Sequence, residues 1–240
     1  MLLEVEGLSK TFAGLRAVHQ VDFAVKKGEI LGLIGPNGAG KTTTFNMIAG
    51  SLKPTEGRIL FKERDITGMS PPRICLLGIA RTFQIVKPLP RLTVLENVMV
   101  GVFSKVKDAR KARERALEVL EFTDQLPKKD MVASSLTLAE WKRLEVSRAL
   151  ATNPDLLLLD ECMAGLNARE ITDAIRLIGK IREKGVTIIV IEHVMKAIMS
   201  ISDRIVVLNY GQKIMEGTPE QVANDPQVIK AYLGEDYAKR

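Results

Sequence analysis

The fold is decided by the stretch Gly35-Pro36-Asn37-Gly38-Ala39-Gly40-Lys41-Thr42. It follows the apolar run of residues 30–34 and precedes a helix-like segment that begins at Thr43. A strand, a glycine-rich loop and a helix in that order are the context that a phosphate-binding P-loop requires. The sequence therefore predicts a phosphate site at this loop.

The residue types of the loop indicate how a phosphate would be held. Glycines let successive N–H groups converge, and a side chain at Gly38 or Gly40 would obstruct that approach. The following helix N-terminus favours an anion, and Lys41 adds a compact positive charge for the β- and γ-phosphates. Thr42 offers a hydroxyl to Mg²⁺. We therefore expect a nucleotide that binds together with Mg²⁺.

The composition is that of an ordinary globular protein. The chain has 240 residues, of which 46% are hydrophobic and 27% charged, with a formal net charge of +6. Such a charge permits attraction to nucleic acid or to an anionic membrane. Much of the excess lies in residues 105–115, where acidic residues are interspersed and aromatic residues are absent. This pattern favours a solvated helix face, so we expect no direct nucleic-acid partner.

Cysteine usage and hydropathy bear on the cellular compartment. Cys75 and Cys162 lack metal-type spacing, which favours a reduced cytosolic compartment. The first six residues lack a basic segment followed by an apolar core, so we expect no secretory signal. No apolar run reaches the roughly 20 residues that span a bilayer. A membrane role would therefore depend on a partner.

Hydrophobic periodicity predicts an α/β chain. Residues 3–5 and 21–25 alternate in the manner of half-buried strands and predict an antiparallel sheet before the P-loop strand. Residues 156–159 and 186–191 are continuous apolar runs, typical of strands buried on both faces of a parallel sheet. The helix-like segment between them implies right-handed parallel crossovers. From about 87 to 150 the sequence becomes proline-containing, charge-rich and helical, which predicts an inserted helical lobe.

Several polar residues stand where parallel strands end. Asp160 and Glu161 follow the run 156–159, at the edge where α/β sheets bind ligands. We expect Asp160 to hold Mg²⁺ and Glu161 to polarise the attacking water. His193 follows the next strand and could reach a γ-phosphate, although a surface position is the alternative. The amide of Gln84 could bind Mg²⁺ or orient water.

Taken together, these residues resemble the ATP-binding subunits of ABC transporters, over nearly the whole chain. The resemblance implies a P-loop NTPase (RecA-like) core with a parallel sheet, an N-terminal antiparallel β subdomain and an inserted helical subdomain. It implies one domain over 1–240, with the core at 1–86 and 151–240 and the helical subdomain at about 87–150. Residues implied to contact ATP are Phe12, Val18, Gly35, Asn37, Gly38, Ala39, Gly40, Lys41, Thr42 and Thr43.

The resemblance also assigns roles to the polar residues. Phe12 would stack on adenine, Glu161 would be the general base and His193 the switch histidine. Mg²⁺ would be bound by Thr42, Gln84 and Asp160. The Gln84 region and the helical subdomain would also contact integral membrane subunits. The chain would then be a Mg²⁺-dependent ATPase, peripheral on the cytoplasmic face of the inner (plasma) membrane.

A narrower resemblance is to the branched-chain amino acid uptake group. It is carried by residues 80–84, 92–98, 163–167 and 216–219. It implies an importer, with a solute-binding protein as an indirect partner. The ATPase of lipopolysaccharide export resembles the same group closely, so that function stays open at this point.

The sequence departs from the family pattern in the segments expected to act across a dimer. Leu136-Thr137-Leu138-Ala139-Glu140 stands where most members have Leu-Ser-Gly-Gly-Gln and reach the γ-phosphate bound by the opposite subunit. Thr137 keeps a hydroxyl, but two glycines are lost. Asn167 replaces the usual aspartate and keeps hydrogen bonding without charge. We predict contacts to the partner's nucleotide from Thr137 and Asn167, and an inert buried thiol at Cys162.

Three functional hypotheses remain open from the sequence. The first is an importer ATPase, in which two such subunits form a homodimer or a heterodimer. ATP bound between them closes the dimer. The second is a soluble P-loop ATPase acting on nucleic acid, favoured only by the net charge. The third is an ATP-binding module that scarcely hydrolyses, in which glycine at positions 138 and 139 should raise the rate.

Overall fold

The computed structural model describes residues 1–82 and 89–233, and a mixed sheet lies at its centre. The strands of this sheet are β3 (Ile30–Ile34), β6 (Ile79–Arg81), β7 (Leu156–Asp160), β8 (Thr187–Ile191), β9 (Arg204–Asn209) and β10 (Gln212–Gly217). Within the described residues the spatial order is β10-β9-β3-β8-β7-β6. All neighbours are parallel except β9 and β10. The predicted parallel core is confirmed.

A second sheet forms the predicted antiparallel unit. Its strands are β1 (Leu3–Phe12), β2 (Leu15–Val25), β4 (Glu56–Phe61) and β5 (Arg64–Asp65), in the order β2-β1-β4-β5. Neighbouring strands are antiparallel. Leu3, Val5, Val21 and Val25 are buried, as the alternation predicts.

Helices cover the sheets and connect the strands. They are α1 (Lys41–Ile48), α2 (Pro71–Leu77), α3 (Val94–Val102), α4 (Ala109–Phe122), α5 (Leu138–Ala151), α6 (Ala168–Glu183), α7 (Met195–Ile201), α8 (Pro219–Ala223) and α9 (Pro226–Leu233). Short 3-10 turns occupy Leu126–Lys128 and Ala133–Ser135. Across residues 1–82 and 89–233, none of the helices combines the length and apolarity needed to cross a membrane.

Apolar side chains collect in three clusters. One lies between the two sheets and includes Phe45 and Phe61. Another covers the opposite face of the central sheet, where α6 and α7 pack. The third is formed by α3, α4 and α5. The region predicted as a helical lobe therefore has its own small core, and α5 also contributes Val146 to the cluster on the central sheet.

Burial explains why β7 and β8 read as continuous apolar runs. Every residue from Leu156 to Leu159 and from Ile188 to Ile191 is fully buried. Strands covered on both faces need apolar side chains at all positions, not at alternate ones. Polar residues can therefore follow only where these strands leave the sheet.

Candidate functional site

The functional residues meet at one edge of the central sheet. Strands β3, β8 and β7 are neighbours and run parallel, so their carboxyl ends lie side by side. The P-loop follows β3, Glu161 follows β7 and His193 follows β8. Ligands of open α/β sheets bind at this edge.

A cleft of about 650 Å³ opens there. Its lining includes the predicted ATP-binding residues Asn37, Gly38, Ala39, Gly40, Lys41, Thr42 and Thr43. Glu161 and His193 line the same cleft. Its volume is in the range typical of small-molecule sites.

The glycines of the P-loop serve different needs. A Cβ on Gly40, whose φ is 97°, would lie 2.6 Å from the carbonyl oxygen of Ala17, and at Gly35 it would lie 2.0 Å from that of Leu208. Gly38 has a φ of 80°, but a Cβ there would meet no atom within 4 Å. The prediction that a side chain at Gly38 or Gly40 would obstruct the approach of the N–H groups to a phosphate stays a prediction, and Gly35 and Gly40 are in addition required by close contacts within the chain. Gly38 is favoured by its left-handed backbone.

Lys41 is folded back onto the loop that precedes it. Only 6% of its surface is exposed, and Nζ donates to the carbonyl oxygens of Gly35 at 2.6 Å and Pro36 at 2.9 Å. Burial lowers the pKa of Lys41, and the charges of Glu161 and Asp160 oppose that shift. A positive charge and two carboxylates thus converge beside the loop.

One carboxylate oxygen of Asp160 accepts a hydrogen bond, and the other accepts none among the described residues. Its Oδ2 accepts from Arg81 Nη2 at 2.8 Å, and its backbone N–H donates to Thr82 Oγ1 at 3.0 Å. Oδ1 is buried and has no hydrogen-bond partner among the described residues. Burial raises the pKa of Asp160, and the hydrogen bond and charge of Arg81 oppose that shift.

These residues fit a site for Mg²⁺. A buried carboxylate oxygen without a partner is costly unless something binds it. Mg²⁺ is commonly bound by one or two carboxylates together with phosphates and water. In the described ranges, no three side chains of His, Cys, Asp or Glu form a metal-type group. Asp160 Oδ1 is a candidate donor, and the sequence prediction adds the Thr42 hydroxyl of the P-loop; two such donors suit a cation shared with a nucleotide.

Glu161 and His193 form a pair. His193 Nε2 lies 3.0 Å from Glu161 Oε1, a hydrogen-bond distance. The Glu161 side chain is 15% exposed and that of His193 is 43% exposed. Glu161 has a left-handed backbone with φ of 50°. The structure thus brings the predicted base and the predicted switch histidine together on the cleft wall.

Phe12, which is expected to stack on adenine, is not among the described residues that line the cleft. Phe12 lies opposite Leu15 at the end of the β1–β2 hairpin, with the Lys10 ammonium 5.2 Å from its ring centroid. Phe12 is 45% exposed, but the described cleft wall beside it is formed by residues 15–17. Stacking of adenine on Phe12 stays a prediction. Gln84 lies outside the described residues.

Val18 corrects a prediction. Its side chain is fully buried, and its Cγ2 would lie 3.1 Å from a Cβ on Gly40. A side chain without exposed surface cannot contact a nucleotide in the cleft. Val18 instead belongs to the core cluster between the two sheets and packs against Gly40 of the P-loop.

The residues predicted to act across a dimer are helix caps. Thr137 is the N-cap of α5, in a reciprocal capping box with Glu140. Asn167 is the N-cap of α6, and its Oδ1 accepts from the N–H groups of Arg169 and Glu170 at 3.0 Å. Leu138 and Ala139 form the first helical turn, so this backbone does not require glycine. Thr137 and Ala139 line a cavity of about 210 Å³ between α5 and α6.

Sequence reasoning missed several residues around the site. Arg16 and Tyr210 line the cleft, and Tyr210 is 88% exposed in the β9–β10 turn. An exposed aromatic residue in a turn was the available signal for Tyr210. Arg81 was read only as part of a motif, yet it pairs with Asp160. Its closeness to Asp160 becomes visible only once β6 and β7 are known to be neighbours.

Comparison with protein families and comparison with individual proteins point to the same group of proteins. The sequence profile of ABC transporters matches residues 18–164, and that of the branched-chain amino acid ATP-binding cassette transporter matches residues 212–238. The chain is 43% identical to the high-affinity branched-chain amino acid transport ATP-binding protein LivG of Salmonella typhimurium, covering 98% of each chain.

Solved structures of ATP-binding cassettes match this chain over most of its length. A nucleotide-free ATP-binding cassette from an ABC transporter has a TM-score of 0.90 and 33% identity, over 98% of this chain and 99% of that one. A dimeric cassette in a post-hydrolysis state, bound to ADP and Pi, has a TM-score of 0.82 and 26% identity, over 90% and 98%. The fold described above is thus similar to that of these ATP-binding cassettes.

Proposed function

This chain belongs to the ABC transporter family of ATP-binding domains, and we propose that it is the ATPase subunit of a branched-chain amino acid importer. ATP hydrolysis coupled to transport is the activity of this family. The observation that carries the proposal is the meeting of the P-loop and the Glu161–His193 pair in one cleft, with the buried Asp160 next to Glu161 at the end of β7. The full-length similarity to LivG supports the substrate class.

The site residues divide the chemistry of hydrolysis. The N–H groups of the loop and Lys41 bind the β- and γ-phosphates. Thr42 and Asp160 Oδ1 would hold Mg²⁺, which would neutralise charge on the phosphates. Glu161 accepts the proton of the attacking water, and the 3.0 Å contact with His193 orients its carboxylate. Arg81 fixes the other oxygen of Asp160 and so leaves Oδ1 for the cation.

A second ATP-binding subunit completes the site in this proposal. Thr137 and Asn167 lie at the N-termini of α5 and α6, where helix dipoles favour an anion. Leu138 is 50% exposed beside them. The dimeric relative bound to ADP and Pi supports an arrangement in which these termini face the partner's nucleotide.

Membrane subunits would dock in a groove between the core and the helical lobe. A cavity of about 330 Å³ lies between α2, β6, α3 and α5. It is lined by Ile74, Arg81, Val100 and Arg148 among others, close to where the described chain is interrupted before Gln84. Arg81 therefore borders both this groove and Asp160. We place the protein on the cytoplasmic face of the inner (plasma) membrane, with a solute-binding protein as an indirect partner.

The alternatives from the sequence are less well supported. The comparisons do not favour lipopolysaccharide export, because the full-length relatives are branched-chain amino acid transport proteins. A nucleic-acid ATPase rests on net charge alone. The weakly hydrolysing module rested on lost glycines, and α5 begins without needing them.

Purification from native membranes tests the assignment. We expect the tagged chain to bring with it integral membrane subunits and a second ATP-binding subunit, identified by mass spectrometry. A chain recovered without any membrane protein, from gently solubilised membranes, contradicts the proposal. The same experiment decides between homodimer and heterodimer.

The groove makes a separate prediction. Val100 is 45% exposed, so Val100→Glu should leave the fold intact but place a charge in the docking surface. We expect about tenfold less co-purified membrane subunit, which corresponds to about 1.4 kcal/mol of binding free energy. Met131→Glu, at a residue 40% exposed and outside this groove, is the matched control. Equal recovery with both variants would exclude the groove.

A further inference from the structure

A layer of buried charged groups lies behind Glu161. Lys142 on α5 is 8% exposed, and Glu192, which follows β8, is 1% exposed. Neither residue has a task in the chemistry proposed above. Burying a charged group raises the free energy of the folded state unless the group is well hydrogen-bonded. The hydrogen bonds of Lys142 and Glu192 therefore indicate what these residues do.

Lys142 is bonded to the backbone of the proposed base. Its Nζ donates to the carbonyl oxygen of Glu161 at 2.7 Å. The N–H of Glu161 donates to the carbonyl oxygen of Ile191 at 2.9 Å, which continues the bonding between β7 and β8. A left-handed backbone is unfavourable for a residue other than glycine, and Glu161 has a φ of 50°. The bonds at both ends of Glu161 therefore hold a conformation that its residue type does not favour.

Glu192 joins the two loops that carry the pair. Its Oε1 accepts from the N–H of Met163 at 2.6 Å, and its Oε2 from the N–H of His193 at 3.3 Å. Met163 belongs to the loop that follows Glu161. Burial raises the pKa of Glu192, and these N–H groups and the Lys142 charge oppose that shift. One carboxylate thus sets the spacing between the loop after β7 and the loop after β8.

We propose that Lys142 and Glu192 are positioning residues for ATP hydrolysis, which keep Glu161 Oε1 and His193 Nε2 in contact by fixing the backbone on which they stand. The inference rests on the proposed role of Glu161 as general base. Lys142 also connects the helical lobe to that base, because it lies on α5, the helix that begins after the Thr137 cap. A movement of α5 is then passed to the Glu161 carbonyl through one bond.

The test compares matched substitutions in the assembled transporter. Lys142→Met removes the donor, and Lys142→Arg keeps one. Glu192→Gln replaces an acceptor oxygen with an NH₂ group that faces an N–H. A misplacement of about 1 Å can cost roughly 100-fold in rate, so we expect Lys142→Met and Glu192→Gln to lose about 10- to 100-fold in kcat. We expect KM for ATP to change less than about twofold, and Lys142→Arg to recover most of the rate.

Two surface substitutions serve as controls. Lys111→Met and Glu114→Gln change the same residue types at exposed positions on α4, and both should keep the wild-type rate. Thermal unfolding of each variant reports its stability. If Lys142→Met does not fold, Glu192→Gln decides the question, since glutamine has nearly the same size and shape as glutamate.

A double-mutant cycle separates positioning from general support. If Lys142 acts through Glu161, then Glu161→Gln with Lys142→Met should hydrolyse ATP as fast as Glu161→Gln alone, within about twofold. Losses that multiply would overturn the inference. Full activity in Glu161→Gln alone would instead overturn the proposed base. Loss in Glu161→Gln with none in Lys142→Met and Glu192→Gln would overturn this inference only.

Discussion

Glu161→Gln is expected to reduce ATP turnover by about two to four orders of magnitude, the range that general bases contribute. Glutamine keeps the shape of the side chain and an oxygen that can accept from His193. It cannot take a proton from water at neutral pH. Because the P-loop, Lys41 and Asp160 are untouched, ATP should still bind with an affinity close to that of the wild type.

The measurement is turnover together with ATP binding in the same preparation. Bound ATP should persist in Glu161→Gln and hold two subunits together, which light scattering detects as an ATP-dependent increase in mass. Glu183→Gln, on the exposed face of α6, is the control and should hydrolyse normally. Unchanged turnover in Glu161→Gln would remove this residue as the base.

Gly40→Ala is expected to weaken ATP binding by at least about 100-fold. The new Cβ would stand 2.6 Å from the carbonyl oxygen of Ala17, and neither the Cβ nor a backbone oxygen can turn aside as a flexible side chain can. The loop must shift to relieve it, and the N–H groups that bind phosphate shift as well. The loss corresponds to about 2.7 kcal/mol of binding free energy.

Gly185→Ala provides a control for backbone strain alone. Gly185 has a φ of 84°, similar to the 97° of Gly40, but a Cβ there would meet no atom within 4 Å. It should lower the free energy of unfolding by about 1–2 kcal/mol and leave ATP binding intact. Equal ATP affinity in the two variants would show that the close approach at Gly40 does not shape the site.

The parts of the fold that follow from local pattern could be predicted. Strands β7 and β8 are continuous apolar runs because both of their faces are covered, and β3 leads directly into the glycines. Once these strands are parallel neighbours, Asp160, Glu161 and His193 must lie at one edge. The core of the cleft was therefore accessible from sequence.

Contacts between distant segments were not accessible. Lys142 and Glu161 meet because α5 packs against the loop after β7, and no spacing in the sequence encodes that contact. Glu192 looks like an ordinary loop residue until strand order places Met163 and His193 on either side of it. Val18 fits an ATP-contact pattern, yet its side chain points into the core behind Gly40.

The altered loop at residues 136–140 shows how a local rule can mislead. Loss of two glycines suggested impaired function, because glycine is usually kept where the backbone needs special freedom. In the structure Leu138 and Ala139 occupy the first turn of α5, behind a capping box at Thr137. Helix-forming residues suit that position.

The rate of ATP hydrolysis by the complete transporter tests the central claim most directly. The assembly, reconstituted in vesicles with its solute-binding protein, is measured with leucine, isoleucine or valine and with lysine as the comparison solute. We predict that the branched-chain amino acids raise the rate several-fold, that lysine does not, and that Glu161→Gln abolishes the rise. A rate that is the same with every solute would contradict the account.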